Sequence, residues 1–128
     1  MRVAEIMLPD IALLDPGETV VSAARGMADS DTSFVLVGAE DRLDGVLTER
    51  DILIRVVAAG LPPGETQIGQ VMSSSVFTCS ENDAAEAAEA QMAEHRVRQL
   101  PVLDGAGRLV GTVTREAAQQ AGGEASGP

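Results

Sequence analysis

The sequence is written twice, and this limits its possible folds more than any other feature. Sliding the chain on itself by 65 residues brings Met7 onto Met72, Ala23 onto Ala88, Met27 onto Met92, Ala28 onto Ala93 and Val37 onto Val102. After a one-residue insertion the offset becomes 66, and Arg42 meets Arg108, Leu43 meets Leu109, Gly45 meets Gly111 and Thr48 meets Thr114. The matches keep their order and fall on apolar or turn positions, as expected of a duplicated structural unit. Gly60-Leu61-Pro62-Pro63-Gly64 marks the seam with residues that interrupt helices and strands. These signals place repeat 1 at residues 1–61, a linker at 62–66, repeat 2 at 67–121 and a disordered tail at 122–128. A repeat of about 60 residues buries little surface by itself, so the two copies are expected to share one core in a single domain.

Local signals agree in both copies. Asp15-Pro16-Gly17-Glu18 offers an N-cap Asp, a Pro at the first helical position and a Glu at the third, and Ser80-Glu81-Asn82-Asp83 repeats the cap and the acid. Helices are predicted from Thr19 to about Ala28 and from Ala84 to about His95. The apolar runs Phe34-Val35-Leu36-Val37 and Leu100-Pro101-Val102-Leu103 are each followed by a turn and a second run, Gly45-Val46-Leu47 or Leu109 to Val113, which predicts two hairpins. Ile11–Leu14 and Val76–Cys79 read as a short strand ahead of each first helix. Ile52, Leu53, Val56 and Val57 recur on one face of a helix that Thr48 opens and Gly60 stops. The closing helix of repeat 2, Glu116–Ala121, has no large apolar side chain and is expected to end before Gly122-Gly123. The fold class is therefore α/β (α+β), with strand, helix, strand, strand, helix in each copy.

Charge and cysteine usage narrow the function. Twenty acidic residues against nine basic ones, all arginine, give a net charge of -11. Such a surface repels phosphate backbones and anionic headgroups, which argues against nucleic-acid and membrane partners. Met1 to Glu5 lacks a signal peptide's apolar run, and no stretch approaches the roughly 18 apolar residues of a membrane span. A single cysteine, Cys79, forms no intramolecular disulfide and points to a reducing, cytoplasmic setting. No metal-ligand cluster, Cys-His or Ser-His arrangement or phosphate-cradling glycine loop is present, so neither catalytic nor metal-binding residues are assigned.

The leaders Val3-Ala4-Glu5-Ile6-Met7 and Ile68-Gly69-Gln70-Val71-Met72, the strand Leu100-Pro101-Val102-Leu103-Asp104 and the segment Gly45-Val46-Leu47-Thr48-Glu49-Arg50-Asp51 recur in the order of a known tandem. Over about residues 3–121 the chain resembles the cystathionine-β-synthase (CBS) domain pair, or Bateman module, and is expected to stand alone, with no fused transmitter or catalytic domain. The resemblance implies two pseudo-symmetric β-α-β-β-α repeats packed sheet against sheet. It also implies an adenosine-type ligand in the cleft between them, from the classes AMP, ADP, ATP, S-adenosylmethionine and NAD(H). Binding then changes the behaviour of an attached or partner protein.

Thr48 and Asp51 have the spacing of a capping box. The resemblance adds a second role, in which the Asp51 carboxylate accepts hydrogen bonds from the vicinal hydroxyls of a ribose beside the Thr48 hydroxyl. Repeat 2 keeps Gly111 and Thr114 but has Ala117 in place of the acid, a loss of about 1.5–3 kcal/mol at that site. His95-Arg96-Val97-Arg98 either offsets the dipole of the preceding helix or meets an anionic ligand group, and the resemblance places Arg98 near a phosphate. Arg50 and Arg115 stand beside the caps, where they reach a phosphate or, as their expected fate, pair with neighbouring acids. AMP or the cationic S-adenosylmethionine suits so acidic a chain better than ATP. Cys79 is expected to be a small buried hydrophobe, and Met7 and Met72 to pack equivalently. Phe34 and Phe77 are expected in the core, with an adenine-flanking role as the alternative for Phe77.

The expected function is thus a non-enzymatic regulatory module that binds an adenosyl ligand through Thr48, Asp51, Arg50, Arg98, Thr114 and Arg115, holds no tight cofactor, and signals to a partner protein of unknown identity. Exposed apolar helix faces predict a two-fold homodimer. The alternative is a ligand-free dimeric interaction scaffold with a degenerate nucleotide site, of which Ala117 is the first sign.

Overall fold

In the computed structural model, which describes residues 1–9 and 11–125 and side chains as far as Ala121, the elements follow the order α1 (Val3–Ile6), β1 (Leu13–Leu14), α2 (Val20–Ser30), β2 (Phe34–Ala39), β3 (Arg42–Thr48), α3 (Glu49–Ile52), a π-helical turn (Leu53–Val57), α4 (Ile68–Val71), β4 (Cys79–Ser80), α5 (Ala85–His95), β5 (Gln99–Leu103), β6 (Leu109–Thr114) and α6 (Arg115–Ala125). They make two three-stranded sheets, β1-β2-β3 and β4-β5-β6. In each, the short first strand runs parallel to the second and the hairpin is antiparallel, with Phe34 opposite Thr48 and Gln99 opposite Thr114. Both hairpins slip register at matching places, Val37/Gly38 and Val102/Leu103. Among the described residues, no helix is long and apolar enough to cross a membrane.

Packing groups these elements differently from their order in the sequence. One compact unit is continuous, Ala12–Val76; the other is discontinuous, Met1–Ile11 with Phe77–Pro128. The repeats have exchanged leaders. In the discontinuous unit the leader of repeat 1 donates Val3 N–H to the Asp83 carbonyl and accepts Ala85 N–H at the Met1 carbonyl, both at 2.9 Å, and Leu8 forms a two-way backbone bridge with Thr112. In the continuous unit the leader of repeat 2 does the same, with Val20 N–H on Thr66, Ile68 N–H on Glu18, and Ser73 bridged to Val46. Among the described residues there are two buried clusters, one in each unit. Val3, Met92, Leu100, Val102 and Val113 belong to the first, and Val20, Met27, Val37, Leu47, Ile68 and Val71 to the second. Val3, Ile68 and Val71 show why each closes by itself: the exchanged leader supplies the missing apolar side chains. Met72 lies against Gly45 and Met7 against Gly111, the equivalent packing expected of the pair.

Three expectations are corrected. Asp15–Glu18 and Ser80–Asp83 do not cap helices; each folds on itself as a turn, with Gly17 N–H on Asp15 Oδ1 at 2.7 Å and Ser80 N–H on Asp83 Oδ2 at 2.9 Å. The caps are Thr19, whose hydroxyl accepts Ser22 N–H, and Ala84, which has no side-chain acceptor. The leader carbonyls of Thr66 and Met1 take the first helical N–H groups of α2 and α5 instead. The closing helix α6 continues through Gly122-Gly123 to Ala125, because Ala118 and Ala121 are buried and their small side chains let it pack on α5; the rest of the expected tail, 126–128, lies outside the described residues. The face predicted from Ile52, Leu53, Val56 and Val57 splits. The π turn adds a residue per turn, turning Val56 inward while Leu53 and Val57 stay 61% and 62% exposed.

Candidate functional site

In the continuous unit, β3 delivers Thr48 in extended conformation to the start of α3. Its hydroxyl accepts Asp51 N–H at 3.1 Å, and the Asp51 carboxylate accepts Thr48 N–H at 3.0 Å, so the capping box is closed in both directions. The same carboxylate accepts the hydroxyl of Ser73. Arg55, on the π turn, donates to the Val71 and Met72 carbonyls at 3.0 and 3.1 Å. Ser73 was not among the residues singled out from the sequence; its only mark there is that it follows Met72, as Leu8 follows Met7. A carboxylate has about four lone-pair positions. Thr48 N–H and the Ser73 hydroxyl occupy two, which leaves about two for hydroxyls from a ligand. Asp51 is half-buried, so those bonds form in partly desolvated surroundings.

In the discontinuous unit, Thr114 caps α6 in the same way, its hydroxyl accepting Ala117 N–H at 3.1 Å, and Arg115 N–H donates to the Arg98 carbonyl at 2.8 Å. Ala117 offers no acceptor side chain. The structure therefore brings Thr48, Asp51 and Arg50 together at one helix start, and Thr114, Arg115 and Arg98 together at another. Among the described residues, the ion pairs expected of Arg50 and Arg115 do not form; the pairs there are Arg42–Asp44 at 2.9 Å and Arg108–Asp104 at 3.0 Å. The acids that share α3 with Arg50, Glu49 and Asp51, stand at adjacent positions and point away around the helix, and Arg115 Nε is buried without a hydrogen-bond partner.

Phe77 is not a core residue. Its ring is 48% exposed and stacks on His95, with centroids 3.6 Å apart and planes 10° from parallel. His95 and Arg96 occupy the last turn and the C-cap of α5, where cations offset the helix dipole. A depression of about 350 Å³ between the end of α2 and α3, lined by Met27, Asp31, Thr32, Glu49 and Ile52 among others, is rimmed by acids and excludes Thr48 and Asp51.

Cys79 is buried as expected, and burial, with the nearby charge of Asp83, pushes its thiol up from the ordinary 9.0 to about 11. The unfolded thiol therefore ionises first. Stability from this group is intact below pH 9 and lost between pH 9 and about 11. Iodoacetamide at pH 8 is expected to alkylate Cys79 much faster in urea than in the folded protein, as mass spectrometry over time will measure.

The CBS domain profile matches residues 3–58 and 68–121. The chain belongs to the CBS domain family. This CBS pair is 35% identical over 117 residues to the uncharacterized protein MK0525 of Methanopyrus kandleri, over 91% of this chain and 60% of that one. It is 36% identical over 111 residues to Hypoxic response protein 1 of Mycobacterium tuberculosis, over 86% of this chain and 77% of that one. The crystal structure of Hypoxic Response Protein I with two coordinated zinc ions matches the CBS pair with a TM-score of 0.81 and 33% identity, over 94% of this chain and 98% of that one. Among the described residues of this CBS pair, no group of three or more His, Cys, Asp or Glu side chains could hold a metal ion. The same fold, at 21% identity, occurs in CBSX2 in complex with AMP, with a TM-score of 0.80 over 98% of both chains. It occurs again, at 21% identity and a TM-score of 0.77 over 98% of both chains, in the CBS domain pair of MJ0100 in complex with 5′-methylthioadenosine and S-adenosylmethionine.

Proposed function

We propose that this CBS pair is a non-enzymatic regulatory module that binds an adenosyl ligand at Thr48 and Asp51 and reports its occupancy to a partner protein. The half-buried Asp51 carboxylate carries the reading. It stands at a helix start, with about two acceptor positions that the chain leaves unused, a match for the vicinal hydroxyls of a ribose. The relatives in complex with AMP and with S-adenosylmethionine support it at the level of the fold. Asp31 and Glu49 near the same helix start, in a chain of charge -11, favour S-adenosylmethionine or AMP over ATP. In this reading Arg50 serves a phosphate in this unit, and Arg98 and Arg115 are the cations of the second, incomplete site. Without an acid at position 117, Thr114 and its neighbours hold no ribose, so one ligand binds per chain. The exposed apolar side chains of Leu53, Ile54 and Val57 support a homodimer, and a free thiol at Cys79 suits the cytoplasm.

Calorimetric titration of AMP, ATP, S-adenosylmethionine and NADH tests the reading. One mole of AMP or S-adenosylmethionine per chain is expected, with ATP bound at least about tenfold more weakly, as a few uncompensated charges would cause. A folded protein that takes up none of the four would be the alternative, a ligand-free dimeric interaction scaffold with a degenerate nucleotide site.

A further inference from the structure

Asp51 does not face a ligand unaided. Ser73, from the exchanged leader, directs its hydroxyl at both carboxylate oxygens, 3.2 Å from Oδ1 and 3.4 Å from Oδ2. The main chain of Ser73 is fixed: it exchanges two backbone hydrogen bonds of 2.9 Å with Val46, and the two carbonyls before it are held by Arg55. A serine tethered in this way can move its hydroxyl only among the few staggered positions of its first side-chain torsion, so it offers the carboxylate a donor from a fixed base. The capping box alone ties Oδ2 to Thr48 N–H and leaves the carboxyl plane free to turn about its last torsion. A second donor shared by both oxygens removes that freedom.

The duplication supplies a comparison within the same chain. Leu8 takes the place of Ser73 in the other unit and makes the same two-way backbone bridge, to Thr112 at 2.7 and 2.9 Å, while Ala117 takes the place of Asp51. Where the acid is present its donor is present, and where the acid is absent an apolar side chain stands in the donor's place. The bridge forms with either residue, so it does not need the serine hydroxyl, whose contact is with the carboxylate.

We infer that Ser73 is a positioning residue for Asp51, and that the Ser73–Asp51 pair, more than the acid by itself, makes the ribose site. This rests on the reading of Asp51 as the acceptor of ribose hydroxyls. AMP, S-adenosylmethionine and 2′-deoxy-AMP are titrated into wild type, Ser73→Ala, Ser73→Thr and Asp51→Ala, with circular dichroism to confirm folding. Ser73→Ala is expected to weaken AMP or S-adenosylmethionine about tenfold, the effect of one hydrogen bond to a charged group, and Ser73→Thr to stay within about twofold of wild type. The preference for AMP over 2′-deoxy-AMP is expected to shrink in Ser73→Ala, a change that loss of a purely structural contact would not cause. Should Ser73→Ala bind like wild type while Asp51→Ala fails to bind, Ser73 has no part in the site and the ribose reading stands. Equal weakening of AMP and 2′-deoxy-AMP, with no rescue by threonine, assigns Ser73 to structure alone and overturns the inference. A wild type that binds neither AMP nor S-adenosylmethionine removes the ribose reading and this inference together.

Discussion

Asp51→Ala is expected to reduce affinity for the adenosyl ligand at least about a hundredfold while leaving the fold nearly intact. Two ribose hydroxyls donating to one carboxylate lose at least about 1.5 kcal/mol each, and about 3 kcal/mol is a factor of roughly a hundred in Kd. Losing half of the capping box and the contact with Ser73 costs the fold about 1–2 kcal/mol, since Thr48 Oγ1 still accepts the backbone N–H of residue 51. Titration calorimetry beside urea unfolding of the same preparations separates the two effects. Unchanged affinity in the variant would remove Asp51 from the site.

Gly45→Ala is expected to remove a large share of the stability of the continuous unit. A Cβ at Gly45 would lie 2.6 Å from the Ser73 carbonyl oxygen and 2.9 Å from Met72 Sδ. The thioether can swing away, but the carbonyl cannot move without breaking the Ser73–Val46 bridge. Overpacking of about 1–3 kcal/mol and two backbone hydrogen bonds at about 1 kcal/mol each amount to roughly 3–5 kcal/mol, a large share of a domain's stability. The urea midpoint should fall accordingly. Gly26→Ala in α2, where nothing lies within 4 Å of the new methyl, is the control and should leave the midpoint unchanged or raise it slightly. Similar midpoints for the two variants would mean that the leader does not pack against β3.

Both hairpins and the Thr48–Asp51 box are legible in the sequence because neighbouring residues set them: an apolar run, a turn and a second run for the sheet, and a threonine three residues before an acid for the helix start. The leader exchange is not, since it rests on single-residue bridges such as Leu8 with Thr112, which leave no periodicity to read. Ser73 is hidden for a similar reason. It is the first of three consecutive serines, and what distinguishes it is an acid 22 positions earlier in the chain. The motif Asp15-Pro16-Gly17-Glu18 suits a helix start and a tight turn equally well, and the distant Thr66 carbonyl decides between them. Phe77 reads as core because a large ring usually needs burial; here the flat face of His95, 18 residues away, covers it instead.

Because the continuous unit is Ala12–Val76 and the other is closed by Met1–Ile11 meeting a stretch that begins at Phe77, the order of synthesis and the order of assembly diverge. Synthesis from the N-terminus releases α1 well before its backbone partners: Asp83, which Val3 meets, follows 80 residues later, and Thr112, which Leu8 meets, 104 residues later. Meanwhile Thr48, Asp51 and Ser73 have all emerged, so the inner stretch is able to assemble around its carboxylate while the first eleven residues still wait for their sheet. A nascent chain paused at Gly60–Gly64, the boundary that the duplication suggests, holds Asp51 without Ser73 and α2 without α4.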